Sequence, residues 1–442
     1  MSFSSSTVLA YRRLWSLAWP LILTNLTVPL LGLVDTAVLG HLNSPVYLGA
    51  VAISANLFTI LYWSFGFLRM GTTGLAAQAS GAQDNEQLRR LLAQAALFGA
   101  GIGCFLVMLQ WPLISVGLWL MDPEPAVARL AHEYCQIRIF SAPAVLAQYA
   151  LIGWLIGRHD TRIPLLVAVA TNLLNLGLDL LFVMGFGMTS AGVALATLIA
   201  EYFALGLTLW LMGQRHPEAW DLAGIGARLR RWADYLRLIR VNRFIFIRTV
   251  ALLLTFAFFT AQGARLGTDI LAANAVLLTF LLLISNGLDG FATGAEVLTG
   301  EAVGARSLAR LRISLSVALG CAVAGALLFC GFFWLAGNWL ISLLTDLPIV
   351  AARAREFLPW LILMPLLAVW SYLLDGVFIG ALKVRAMQNT VVLSALVFLL
   401  VWWGSQSLGN HGLWLALSVF MLSRGLSLGW LAWRYSRRQC WF

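Results

Sequence analysis

The sequence predicts an all-α polytopic membrane protein of twelve transmembrane helices, arranged as two pseudo-symmetric six-helix bundles, and three observations predict it. The 442-residue chain is 61% hydrophobic and 11% charged, with a mean hydropathy of +0.86, too apolar for a fold whose surface faces water. Twelve apolar segments reach the roughly 20 residues that a helix needs to cross the hydrocarbon core of a bilayer. The second half of the chain echoes the first at a constant offset, the one that carries Leu75 onto Leu298.

The segments cover residues 14–39, 46–71, 91–121, 127–156, 163–187 and 190–213, then 241–262, 269–295, 313–344, 350–380, 387–407 and 411–434. The first exceeds the apolar core of a secretory signal and meets no small-residue cleavage site before Asp35, so it reads as a retained span. An even number of spans puts both termini on one side. Arg12, Arg13, Arg89, Arg90, Arg158, Arg162, Arg306, Arg310, Arg312, Lys383, Arg385, Arg437 and Arg438 all flank loops of that side, against Arg129, Arg265, Arg353 and Arg355 opposite. Positive-inside bias therefore places both ends in the cytoplasm and accounts for the net charge of +10 without a nucleic-acid partner.

Between the sixth and seventh spans, residues 215–240 form the longest polar stretch. Leu222, Ile225, Leu229, Trp232, Leu236 and Ile239 recur there at steps of three and four, with Arg228, Arg230, Arg231, Arg237 and Arg240 between them. That pattern predicts a basic amphipathic helix on the inner membrane surface, linking an N-terminal lobe (1–214) to a C-terminal lobe (241–442).

The constant offset lays Leu75-Ala-Ala-Gln78-Ala79-Ser-Gly81 on Leu298-Thr-Gly-Glu301-Ala302-Val-Gly304, and brings Gly157 onto Gly380 and Arg162 onto Arg385. Two copies in the same orientation imply a pseudo-two-fold axis along the membrane normal and a cleft between lobes that rock in alternating access. Cys104, Cys135, Cys321, Cys330 and Cys440 are odd in number and scattered, which argues for packing rather than a disulfide framework. His41, His132, His159, His216 and His411 are dispersed and share no metal-binding spacing.

Asp35 lies inside the first apolar segment, where an ionised carboxylate costs roughly 2.5–3.5 kcal/mol at a span centre, so it calls for a protein-lined site. Asn172, Asn175 and Asp179 follow at i, i+3 and i+7 of the fifth span, on one helical face. Asp35 and Asp179 both belong to the outer halves of their spans. Thr197 of the sixth and Tyr134 near the outer start of the fourth are placed to complete a network with them. Paired, desolvated carboxylates gain proton affinity, the requirement for a group that binds and releases protons near neutral pH. Pro20, Pro29 and Gly32 on the first span permit it to bend with that protonation.

The segments Thr27-Val-Pro-Leu-Leu-Gly-Leu-Val-Asp35-Thr-Ala-Val-Leu-Gly-His41, Thr73-Gly-Leu-Ala-Ala-Gln78-Ala-Ser-Gly81-Ala and Tyr372-Leu-Leu-Asp375-Gly-Val-Phe-Ile-Gly380-Ala resemble the multidrug and toxic compound extrusion (MATE) family. With Asn410-His-Gly-Leu-Trp-Leu-Ala-Leu they are most similar to its DNA-damage-inducible protein F (DinF) branch. The resemblance spans essentially the whole chain. It implies a cation-driven efflux antiporter with a V-shaped central cleft, and it maps the family's N-lobe proton site onto Asp35, Asn175, Asp179 and Thr197, with Tyr134 a weaker match.

In the C-terminal lobe, opposite charges in neighbouring spans suggest structural ion pairs, Arg248 with Asp289 for instance. The functional alternative makes Asp375 part of a cation site. Sodium-using members of the family, as the resemblance implies, place acids in the seventh and tenth spans. Here the tenth has Asp375 but the seventh has Arg243 and Arg248, which weakens sodium coupling and favours protons. Arg69, Arg138 and Arg424 are further span charges with no assigned partner.

Gly99-Ala-Gly101-Ile-Gly103 follows no strand and reads as helix packing rather than a nucleotide loop, and no Walker sequence or catalytic cluster appears. Trp15, Trp19, Trp119, Trp430 and Trp433 suit an interfacial belt. Phe140, Tyr149, Trp154, Phe256, Phe259 and Trp370 are placed either to line a cleft for aromatic cations or to face lipid. The resulting expectation is a proton-coupled multidrug antiporter of the inner (plasma) membrane: a secondary transporter and not an enzyme, without cofactor or metal, monomeric, handling drug-like compounds within the lipid bilayer. Anionic substrates stay open. The alternatives are a sodium-coupled antiporter and a lipid-linked precursor flippase, for which Arg243 and Arg248 would offer cations to a pyrophosphate head.

Overall fold

The computed structural model describes residues 5–40, 45–220 and 232–441, with side chains described over 7–25, 46–220 and 235–441. The first half runs α1 (Ser5–Gly40), α2 (Pro45–Ser64), α3 (Phe67–Gly81), α4 (Asn85–Met108), α5 (Gln110–Met121), α6 (Pro125–Arg138), α7 (Ala142–Gly157), α8 (Arg162–Asp179) and α9 (Ser190–Arg215). The second runs α10 (Trp232–Arg265), α11 (Thr268–Gly304), α12 (Leu308–Leu344), α13 (Pro348–Gly380), α14 (Val384–Gly404) and α15 (Asn410–Arg438). Eleven helical stretches among the described residues are long and apolar enough to cross a bilayer. With α1, which carries the first apolar segment, they make twelve spans.

Three N-terminal spans are interrupted, two of them where a proline removes a backbone donor. α2 gives way to α3 in a turn at Phe65-Gly66. α4 stops at Met108, the residue whose carbonyl would bond to the nitrogen of Pro112, which has no hydrogen to give. Pro143 likewise leaves the Ile139 carbonyl without its helical donor, and a 3₁₀ turn over Ile139–Ser141 separates α6 from α7.

The chain forms two compact units, one of residues 23–80 and 84–242 and the other of residues 1–22, 81–83 and 243–442. These boundaries differ from the expected lobes because the first part of α1 packs with the second half of the chain. Methyl groups added to Gly294 and Gly290 of α11 would come within 2.7 Å of the Leu14 side chain and 3.0 Å of the Ala18 carbonyl oxygen, so α1 lies close against that helix. The start of α10 packs in the other unit, with Asn242 against Gly71 of α3. α10 is also unbroken from Trp232 into the seventh span, so the expected surface helix over 215–240 has no boundary at 241. Leu222, Ile225, Arg228, Leu229, Arg230 and Arg231 lie outside the described residues.

The repeat extends to atomic contacts. Methyl groups built on Gly153 and Gly157 of α7 would lie 2.5 and 2.7 Å from the carbonyl oxygens of Arg69 and Thr73. Added to Gly376 and Gly380 of α13, the counterparts of those glycines, they would lie 2.1 Å from the carbonyl oxygens of Ala292 and Glu296, the counterparts of Arg69 and Thr73. Asp84 and Ser307, related by the same offset, both cap the following helix by accepting a backbone N–H, from Gln87 and Arg310. Even the left-handed residues repeat: Gln83 and Arg306 at φ +57° and +52°, His159 and Leu382 at +66° and +54°. In lipid, helix association relies on close backbone approach rather than a hydrophobic driving force, so these small-residue seams hold each unit together.

Candidate functional site

In the unit of residues 23–80 and 84–242, α8 packs on α9, and α9 in turn on α6. The predicted face of α8 points inward: Asn175 and Asp179 are fully buried and Asn172 half-buried. Asn175 Nδ2 donates to Thr197 Oγ1 at 3.4 Å, and that hydroxyl donates to the Val193 carbonyl at 3.0 Å. Asn175 Oδ1 has no hydrogen-bond partner among the described residues, which leaves an acceptor inside the network. Directly after Asp179 the helix widens into a π turn over Leu180–Gly185, a local unwinding that often marks functional sites. Tyr134 on α6 is fully buried and accepts from Arg138 Nη1 at 3.3 Å.

Further polar groups lie on these helices and on α2 and α7. Arg138 stacks on the Phe58 ring at 5.7 Å, and Tyr62 shares a 2.9 Å hydrogen bond with Ser141. Gln148 donates to Thr208 at 2.6 Å, both buried. Glu201, one helical turn after Thr197 on α9, lies within the field of Arg138. Sequence reasoning overlooked Glu201. Its signal was available, since Thr197, Glu201 and Thr208 share a face at i, i+4 and i+11.

Just beyond the spans, Asp160 lies 3.1 Å from His216 Nε2 and 3.6 Å from Arg215 Nη1. Burial alone would raise its carboxyl, but the His216 hydrogen bond, the Ile163 amide and the Arg215 charge together hold it below the ordinary carboxylate range. Glu218 is likewise lowered; its slight burial opposes the shift, and its bond from Arg158 at 2.8 Å and the neighbouring His216 prevail.

The other unit holds a buried charge cluster. Asp375 Oδ2 on α13 accepts from Arg424 Nη2 of α15 at 2.6 Å and from Arg248 Nη2 of α10. Asp375 is 3% exposed, Arg424 1% and Arg248 8%, so two guanidinium groups share one carboxylate away from solvent. Arg424 also covers the Phe420 ring at 5.3 Å. The expected Arg248–Asp289 pair is therefore replaced by Arg248–Asp375. Asp289 is half-buried on α11, and the partner of a charge on one of several spans is decided by depth and rotation, which the sequence does not carry. At the other end of the same span, Asn274 and Asn410 exchange two hydrogen bonds of 2.8 and 2.9 Å, and Trp414 adds a third of 2.9 Å.

Asp35, Pro29 and Gly32 ride on α1 within 26–45, where side chains lie outside the described residues. Pro20 is buried two residues before the chain passes from one compact unit to the other. Two of the aromatics offered for a cleft are packing residues instead. Trp154 is fully buried and donates to the Leu88 carbonyl at 2.8 Å, and Phe259 is buried edge-on against Trp414 at 5.2 Å. Phe140 and Trp370 are exposed, as are Trp15, Trp19, Trp119, Trp430 and Trp433.

Comparison with known proteins gives a consistent picture. The MatE family model matches twice, over residues 20–181 and 245–408, so that its two copies follow each other at nearly the offset of the internal repeat. The chain is 43% identical over 434 residues to DNA damage-inducible protein F of Escherichia coli (strain K12), covering 98% of this chain and 94% of that one. It is 25% identical over 350 residues to the probable multidrug resistance protein NorM of Neisseria meningitidis, covering 78% and 72%. Its fold matches a crystal structure of the Vibrio cholerae MATE transporter VcmN in the bent form with a TM-score of 0.88, at 20% identity over 99% of this chain and 100% of that one.

Proposed function

The chain belongs to the MatE family of multi-pass membrane transporters, and from that premise we propose that it is a proton-coupled antiporter exporting organic, mostly cationic and aromatic compounds. Like the family it is a secondary transporter, not an enzyme. The coupling site of this reading is Asp35 with the buried Asn175, Asp179 and Thr197 set, Asn172 and Tyr134 beside it. It works as a monomer in the inner (plasma) membrane with both termini cytoplasmic.

One observation carries the choice of ion. A sodium site needs several oxygen ligands around the cation. The carboxylate best placed for one, Asp375, is instead engaged by Arg248 and Arg424. Two fixed cations repel a third, and the same engagement removes Arg248 as a spare partner for a pyrophosphate head, which argues against the flippase alternative. Coupling then falls to the other unit, whose buried polar set includes a carboxyl able to change charge. Proton binding from outside would displace the drug, and inward release of the proton would reset the carrier. Proton and drug must weaken each other's binding reciprocally.

The test is transport of an ethidium-like cation into proteoliposomes under an imposed pH gradient in sodium-free buffer. Gradient-driven accumulation that disappears in Asp35→Asn, with that variant inserted and folded, supports the reading. Accumulation that requires sodium and ignores the pH gradient overturns it.

A further inference from the structure

A cavity of about 340 Å³ opens between α3, α4 and the start of α10, at the end of the third span that the charge bias assigns to the cytoplasm. Gln87, Arg90 and Gln94 line it at i, i+3 and i+7 of α4, a polar stripe about 10 Å long on one face of the start of that helix. Arg237 of α10 and Asp84, the cap of α4, close the rim, and Leu75 of α3 forms part of the wall. Two features ask for an occupant. Gln94 is 5% exposed, yet its Nε2 has no hydrogen-bond partner among the described residues, although a buried donor left unmade costs about 1–3 kcal/mol. Arg237 has no ion-pair partner among the described residues, and Arg90, bonded to Glu86 at 2.6 Å, keeps a buried Nε without one.

The charges state what kind of occupant fits. Arg90 and Arg237 share the lining with the Asp84 carboxylate, and Glu86 outside it bonds Arg90, so the pocket suits a headgroup carrying both charges better than a bare anion. Guanidinium groups match phosphate oxygens, and a rim carboxylate matches a primary ammonium that can donate hydrogen bonds. Gln94, two turns deeper, is a donor at a depth where a free headgroup has nothing to accept but a lipid has ester carbonyls. We infer that this pocket holds the phosphoethanolamine headgroup of an inner-leaflet lipid: phosphate on Arg90 and Arg237, ammonium on Asp84, an ester carbonyl on Gln94. The inference does not depend on which ion drives transport.

The internal repeat supplies a contrast. Between α11, α12 and the start of α1, a second cavity of about 220 Å³ is lined by Leu298 and Arg310, the counterparts of Leu75 and Gln87. There α1 contributes Arg13, bonded to Glu301 at 3.3 Å, and no lining side chain has a buried polar atom without a hydrogen-bond partner among the described residues.

Native mass spectrometry of the full-length protein, taken from membranes of mixed dioleoyl phosphatidylethanolamine, phosphatidylcholine and phosphatidylglycerol, reads the site directly. The expected result is one retained ethanolamine lipid, favoured about tenfold over the choline lipid, whose trimethylammonium cannot donate to Asp84. Arg237→Gln, at an exposed position that leaves the fold alone, and Gln94→Leu should each cut that retention about fivefold to tenfold, the worth of one hydrogen bond. Equal retention of the choline or glycerol lipid overturns the proposal, as does retention unchanged in both variants. Soluble O-phosphoethanolamine binding without any retained lipid would overturn the lipid source.

Discussion

Arg424 Nη2 and Asp375 Oδ2 sit 2.6 Å apart on neighbouring helices, and Arg248 reaches the same oxygen. Two cations on one buried carboxylate make the three positions unequal. Asp375→Asn strands both guanidiniums and is expected to cost about 3–5 kcal/mol, the price of breaking a buried pair. Arg424→Met leaves a one-to-one pair of Arg248 with Asp375 and should cost less, about 1–2 kcal/mol. Thermal unfolding of the detergent-solubilised protein, followed by tryptophan fluorescence, orders the two. A larger loss in Arg424→Met than in Asp375→Asn would sink the account.

One residue beyond Asp375, the α11–α13 seam closes on Gly376 and Gly380. A methyl group at either would meet a backbone oxygen at 2.1 Å, with no flexible side chain to yield. Gly380→Ala is expected to destabilise by about 1–3 kcal/mol, the range of core overpacking. Gly331→Ala, where a methyl meets nothing within 4 Å, is the neutral control. Differential scanning fluorimetry of both variants checks the pair, and similar midpoints would refute the seam.

Much of this architecture was legible in the chain because membranes impose simple periods. Span lengths follow from bilayer thickness, and the inward face of α8 follows from i, i+3, i+7 spacing, which is why Asn175 and Asp179 are buried as expected. The repeat was legible because Gly157 and Gly380 hold the same seam. Partners across spans were not: Arg248 meets Asp375 rather than Asp289 through helix rotation and depth, neither written locally. Nor does any local signal say which bundle a helix end joins, so the packing of Leu14 against Gly294 emerged only in three dimensions. The breaks ahead of Pro112 and Pro143 were readable from proline chemistry but lay hidden inside segments judged by length alone.

Outside the spans, Asp160 ties His216 and Arg215 to the start of α8, accepting the Ile163 amide at 3.3 Å. Its carboxyl is held below its ordinary 3.8 in the folded chain. A lowered folded value means that the unfolded chain takes up protons first as pH falls. The stabilisation is therefore present above about pH 4 and lost on acidification through the folded value. Asp160→Asn should remove this part of the acid dependence and leave neutral-pH transport intact. Unfolding midpoints measured between about pH 3 and 7 in wild type and variant test it, and parallel curves would contradict it.

Asn175 and Thr197 separate a coupling network from simple helix glue. Polar contacts between membrane helices average about 0.6 kcal/mol, so Asn175→Leu with Thr197→Val should cost little stability under either reading. If the pair only joins α8 to α9, a small loss of stability is the whole effect. If it supports the proton site beside Asp179, the imposed pH gradient loses its grip: gradient-driven accumulation should fall about tenfold, as coupling energies of about 1–3 kcal/mol allow. Drug counterflow without a gradient should stay near wild type, because that exchange needs no proton. Equal losses in both assays would place these residues in the fold and not in the coupling.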